Sequence, residues 1–97
     1  MINPVAELES AKNDIERGRW VPTKAEQRVA REIAETGPPY DVIPDSLKSI
    51  NTESRFSAAV QAATHIFQLP PIHEEPESRE RLQLAFESFL RAVSDLP

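Results

Sequence analysis

Two pairs of adjacent prolines, at 38–39 and 70–71, interrupt the chain. Proline lacks a backbone N–H and favours extended geometry in the residue before it, so no regular helix runs through either pair. Each pair begins a similar stretch, PPYDVIPDS and PPIHEEPES. The apolar positions that flank the two stretches fall out of register, so we interpret them as two similar corners of a helical fold and not as a repeated functional unit.

Four or five helices are predicted around these corners, and no segment alternates with period two for long enough to form a strand. The helices are expected near residues 4–17, 24–36, 45–50, 53–67 and 76–95. The fold class is therefore all-α, a small bundle with proline-rich connections. A chain of 97 residues can bury one core, and we expect a single domain over residues 1–97.

Several helix boundaries can be predicted from local chemistry. Asn3 is suited to cap the first helix, and Thr23 with Glu26 forms a capping box at the start of the second. The only two glycines, Gly18 and Gly37, each follow a helical stretch, where a left-handed residue commonly ends a helix. Further caps and first-turn acids are expected at Asn51 or Thr52, and at Glu74 and Glu75.

Apolar spacing indicates which side chains face the core. The second helix is expected to point Ala25, Val29, Ile33 and Ala34 inward, and the link after it to pack Tyr40, Val42 and Ile43 on the core. The strongest apolar stripe lies in the last helix, at Leu82, Phe86, Phe89 and Val93. We predict that this stripe forms a bundle core, and a homodimer through the same four residues is the alternative.

Composition excludes several classes of protein. Cysteine is absent, so thiolate metal sites and disulfides are impossible. The sequence shows no basic segment followed by an apolar run and no long apolar stretch, so we expect neither a signal peptide nor a membrane span. We expect a cytoplasmic protein, with a nuclear location as the alternative.

Residues that could carry catalysis do not form a recognisable constellation. His65 and His73 are eight residues apart and separated by the second proline pair, so they cannot share a helix face as zinc ligands. His65 is expected to be a half-buried helix residue. Both glycines stand alone, which excludes a glycine-rich phosphate loop. We therefore predict a protein that is not an enzyme and has no metal or cofactor.

The charge of the chain is unevenly distributed. The net charge is −5, but residues 17–31 contain five basic residues and one acid, which gives 5 − 1 = +4 and leaves −9 for the remainder. The candidate contact residues are Arg17, Arg19, Trp20, Lys24, Arg28 and Arg31. Three of them are spaced four and three apart, so they share one helix face. We predict that this segment binds a protein partner, as in a regulator, inhibitor or adaptor.

Nucleic-acid binding through the same basic residues is the alternative. The run RWVPTKAEQ resembles the start of a plant-type homeodomain, and VAREIAETG resembles the first helix and turn of a helix-turn-helix protein. Each resemblance implies a basic recognition helix further along the chain. Prolines and acids occupy both places, in ATHIFQLPPIHEE and PPYDVIPD, so the alternative rests on the charge of the segment alone.

Overall fold

The computed structural model describes residues 3–70 and 76–97, and within them it contains helices and no strand. The elements are α1 (Pro4–Glu16), α2 (Lys24–Thr36), a short 3₁₀ helix (Asp45–Ser49), α3 (Arg55–Gln68) and α4 (Pro76–Ser94). The predicted all-α fold is confirmed, and the helix bounds differ from the expected ones by about two residues at most. His73, Glu74 and Glu75 lie outside the described residues.

The first two helices begin as their sequences predict. The side-chain oxygen of Asn3 accepts a hydrogen bond from the backbone N–H of Val5 at 3.1 Å. Thr23 and Glu26 form the reciprocal capping box, with distances of 3.1 Å to the Thr23 hydroxyl and 2.8 Å to the Glu26 carboxylate. Gly18 and Gly37 follow the two helices with φ angles of 71° and 73°, a conformation that favours glycine.

The expected cap of α3 at Asn51 or Thr52 is wrong. Ser54 caps this helix, because its hydroxyl accepts from the backbone N–H of Ser57 at 3.0 Å. Asn51 instead accepts from the N–H of Glu53 at 3.0 Å and forms a turn before the helix. A short polar side chain can close a turn or cap a helix with the same chemistry, and the sequence does not distinguish these uses.

The core is built around α4, which packs mainly against α1 and α2, while α1 also packs on α3. Three phenylalanines, Phe56, Phe86 and Phe89, are completely buried. Leu82 and Val93 complete the buried stripe of α4. None of the helices in residues 3–70 and 76–97 combines the length and the apolar character needed to cross a membrane.

The inner face of α2 differs from the expected one. Ala25 and Ala34 are exposed, whereas Glu26, Gln27 and Ala30 are buried together with the expected Val29 and Ile33. The two buried polar side chains have partners: the Glu26 carboxylate closes the capping box, and the Gln27 amide donates to the carbonyl oxygen of Leu96 at 3.0 Å. Hydrogen bonds offset the energetic cost of burying these polar groups. Apolar spacing alone therefore did not predict which residues border the buried face of α2.

The link after α2 places Tyr40 inside and Val42 outside. Tyr40 has a φ of 61°, which is rare for a bulky residue. Its ring packs edge-on against Phe86, with centroids 5.1 Å apart, and its hydroxyl donates to a Glu87 carboxylate oxygen at 3.1 Å. The left-handed backbone at Tyr40 breaks the alternation of an extended link. The expected packing of Val42 on the core is therefore wrong, and this side chain is 75% exposed.

Candidate functional site

The basic segment, defined here as residues 17–31, covers the connection between α1 and α2 and most of α2. Its five cationic side chains are all exposed, at Arg17, Arg19, Lys24, Arg28 and Arg31. The last three lie on the solvent side of α2, opposite its buried face. The fold therefore presents the predicted basic residues to solvent, three of them as a stripe along one helix.

The five cations of the basic segment form no ion pairs with described residues. Within residues 3–70 and 76–97, the ion pairs join Lys12 to Glu16, Lys48 to Asp45 and Arg55 to Asp14. None of these pairs includes a side chain of the basic segment. The positive charges of the segment are therefore free of ion pairs with described residues, although the chain as a whole is acidic.

Arg31 differs from the rest of the stripe, because it contacts the end of α4. Its guanidinium donates to the carbonyl oxygen of Ser94 at 3.1 Å. The last carbonyl groups of a helix lack partners within the helix and carry partial negative charge, so a cation is favourable at this position. Together with the contact from Gln27 to Leu96, this hydrogen bond ties α2 to the C-terminal end of α4. Arg31 therefore has a structural role.

Trp20 anchors the basic segment to the core. Its ring is half-buried and stacks on Phe89, with centroids 6.2 Å apart and an angle of 14° between the rings. The guanidinium carbon of Arg55 lies 5.7 Å from the Trp20 ring centroid. The same guanidinium pairs with Asp14 and donates to the Ser10 hydroxyl at 3.2 Å. The Trp20 ring is thus in contact with other parts of the chain, and this candidate contact residue is a packing residue.

The apolar stripe of α4, predicted to form a bundle core with a homodimer contact as the alternative, lies in the core of its own chain. Leu82 is 2% exposed, and Phe86, Phe89 and Val93 are fully buried. The aromatic pair receives contacts from three other elements, since Phe89 stacks near Phe56 and Trp20, and Phe86 packs against Tyr40. A dimer through these side chains would require α4 to leave its present contacts.

A groove that the sequence did not reveal lies between the C-terminal end of α2 and the link that follows it. This proline groove has a volume of about 290 Å³. Its apolar lining includes Ile33, Pro38, Pro39, Tyr40, Val42 and Pro44. The charged residues that line it are Glu32 and Asp41, both acidic. No pattern in the sequence indicated the groove, because its lining combines the last turn of α2 with the link that follows it.

A second groove, of about 510 Å³, lies between α2 and α4. Its charged residues have both signs, and they are Arg31, Glu35, Glu87, Arg91 and Asp95. Tyr40 also lines this groove, and burial raises the pKa of Tyr40 to about 12, with the hydrogen bond and the negative charge of Glu87 adding to the effect. A tyrosine with this pKa holds its proton at neutral pH and is not a candidate base.

The histidine expected to be half-buried in α3, His65, is exposed. In the part of the chain that the structure describes, no three histidine, aspartate or glutamate side chains come close enough together to hold a metal ion. Comparison with protein-family models, with curated proteins and with solved structures gave no match.

Proposed function

We propose that this chain is a small non-enzymatic regulatory or adaptor protein that binds an acidic surface of another protein through its basic segment. One observation carries the proposal. Arg17, Arg19, Lys24 and Arg28 are exposed, and none of them forms an ion pair with a described residue of an otherwise acidic chain. Such a concentration of exposed positive charge attracts and orients an oppositely charged partner.

The part of the basic segment between α1 and α2 is also anchored to the core. Trp20 packs on Phe89 in the core and lies beside Arg55, so the connection that carries Arg17 and Arg19 is held in place. A surface that is ordered before binding loses less conformational entropy when the partner docks. Val21 is 75% exposed within this connection and can add apolar contact between the charges.

Protein binding is favoured over nucleic-acid binding by the position of Trp20. Proteins that bind single strands commonly stack bases on aromatic rings, and the Trp20 ring is already stacked on Phe89. The same cations could still contact phosphates. The test of the proposal must therefore distinguish carboxylate partners from phosphate partners.

The test compares two double variants with equal charge. The first variant, Arg19→Ala with Arg28→Ala, removes two positive charges from the basic segment. The second, Arg81→Ala with Arg91→Ala, removes two exposed positive charges from α4. Each variant changes the net charge from −5 to −5 − 2 = −7. Partners captured from native lysate are identified by mass spectrometry, and affinity is then measured with the purified partner. We expect about tenfold weaker binding for the first variant, because charged contacts at an interface contribute on this scale, and little change for the second.

Equal binding by the two double variants would contradict the proposal. A mobility-shift assay with mixed DNA and RNA serves as the second arm. Binding that falls steeply with added salt and does not depend on nucleic-acid sequence would assign the basic segment to phosphates instead.

A further inference from the structure

Side-chain charge is sorted along α2 and its flanking links. The basic side chains come first, at Arg19, Lys24, Arg28 and Arg31, and the acidic side chains Glu32, Glu35 and Asp41 follow them. The helix dipole favours the opposite order, with acids at the N-terminus and bases at the C-terminus. Apart from Glu26 in the capping box, the charges at the two ends therefore gain no stabilisation from the helix dipole.

Each end of α2 also has an exposed valine. Val21 and Val42 are both 75% exposed, which makes them the most exposed large apolar side chains in the described residues. Val21 lies between Arg19 and Lys24 in the chain, and none of these three residues is buried. Val42 lines the proline groove, whose charged residues are Glu32 and Asp41. The two ends thus combine the same apolar side chain with opposite charge.

The two valines cannot meet within one molecule. Helix α2 has 13 residues and separates the two ends by about 20 Å at 1.5 Å per residue. A contact between them must therefore join two copies of the chain. The proline groove, at about 290 Å³, is slightly smaller than small-molecule pockets, which span roughly 300–1,000 Å³, and its size is suited to a protruding side chain.

We infer that Val21 of one copy, with Arg19 and Lys24 beside it, docks into the proline groove of a second copy. The valine would contact Pro38, Pro39 and Val42, and the two cations would approach Glu32 and Asp41. This inference rests on the proposed function, since it takes the basic segment as a protein-binding surface and names a second copy of this chain as one of its partners.

The contact joins different surfaces of the two copies. Such a head-to-tail contact leaves one free groove and one free Val21 in every dimer, so association continues into longer chains or closes into a ring. The surface involved is small, so the association is weak, and its charged part is screened by salt. A partner that occupies the basic segment would compete with self-association, which gives the protein a means of regulation.

Sedimentation velocity of the full chain tests the inference, over protein concentrations from about 10 to about 500 µM, where weak contacts become measurable. We expect the weight-average sedimentation coefficient of the wild type to rise with concentration. Val21→Ser removes the apolar contact, and Val42→Lys adds a cation to the groove, so each variant alone should associate at least about tenfold more weakly. Both positions are exposed, and thermal unfolding verifies that the variants fold.

An equimolar mixture of the two variants gives the sharpest readout. The Val42→Lys chain retains the intact Val21 and the Val21→Ser chain retains the intact groove, so the mixture should form a 1:1 complex that does not grow further. Leu84→Ser changes the other exposed large apolar side chain, which is 58% exposed on α4, and should associate like the wild type.

A wild type that stays monomeric at every concentration would overturn the inference. It would also be overturned if the mixture failed to form the complex, or if Leu84→Ser abolished association. If the wild type is monomeric and its protein partner no longer binds the Arg19→Ala, Arg28→Ala variant, the proposed function would be supported without the self-association. If the chain self-associates but no other protein is found that binds through the basic segment, the proposed regulatory or adaptor function would be contradicted instead.

Discussion

Two helices of this protein carry stripes of side chains with the same spacing, and one stripe is buried while the other is exposed. In α4, Leu82, Phe86 and Phe89 recur at intervals of four and three and are buried, whereas in α2 Lys24, Arg28 and Arg31 recur at the same intervals and are exposed. Spacing decides that three side chains share a helix face, and their chemistry decides whether that face meets the core or water. The periodicity is therefore structural in α4 and available for contacts in α2.

The largest effect is expected where the α4 stripe is broken. Phe89→Ala should lower the free energy of unfolding by about 3–5 kcal/mol, because the ring is fully buried against Phe56 and Trp20 and its loss leaves a cavity. Urea unfolding followed by circular dichroism measures the change. Leu84→Ala, on the exposed side of the same helix, should change stability by no more than about 0.5 kcal/mol. Similar losses for the two variants would mean that the α4 stripe does not hold the core.

The two stripes are linked through Trp20, and the next prediction tests this link. Trp20→Ala should lower the free energy of unfolding by about 2–3 kcal/mol, since a half-buried ring loses its stack on Phe89. Val21→Ala, the neighbouring exposed position, should have an effect within about 0.5 kcal/mol. The urea concentrations at the unfolding midpoints of the two variants test this prediction. Equal midpoints would show that Trp20 does not anchor the connection to the core.

A third comparison concerns Tyr40, which contacts the α4 stripe from the link after α2. Its pKa of about 12 lies above the ordinary value of 10.0, so the folded state holds the proton more tightly than the unfolded state. The resulting stability is complete below pH 10 and is lost as the pH rises towards 12, by about 1–2 kcal/mol. Urea unfolding between pH 9 and pH 12 should show a steeper fall for the wild type than for Tyr40→Phe. If the free energy of unfolding fell equally with pH in the two proteins, the raised pKa of Tyr40 would be contradicted.

The smallest effect separates two members of the α2 stripe. Arg31→Ala should lower the free energy of unfolding by about 1 kcal/mol, because it removes the donor to the Ser94 carbonyl oxygen. Arg28→Ala should be neutral within about 0.5 kcal/mol, because its side chain has no ion pair among the described residues. Thermal denaturation of both variants at the same ionic strength makes the comparison. A loss from Arg28→Ala equal to that from Arg31→Ala would give the whole stripe a structural role.

Features set by neighbouring residues could be predicted from the sequence, and features set by distant contacts could not. The capping box of Thr23 and Glu26 and the positive φ angles of the two glycines follow from local chemistry. The burial of Gln27 depends on a carbonyl oxygen 69 residues away, which no local pattern indicates. Exposure of Val42 likewise follows from the unusual backbone of Tyr40.

The same division applies to the candidate site. The concentration of positive charge in the basic segment is a property of the sequence, and the exposure of its five cations agrees with it. The contact from Arg31 to Ser94 and the stack of Trp20 on Phe89 join elements far apart in the chain. These contacts sort the six candidate residues into anchors and free cations, and only the three-dimensional structure provides that distinction.

The position of Arg55 has a consequence for how the protein moves. This first residue of α3 reaches Asp14 and Ser10 in α1 and the Trp20 ring in the next connection. Opening of the first turn of α3 would therefore release the connection that carries Arg17 and Arg19. Backbone amides in these two regions should exchange with solvent as one cooperative unit, faster than the amides around Phe86 and Phe89 in α4. The mobility of the connection between α1 and α2 would then be governed by α3, which contributes none of the charges of the basic segment.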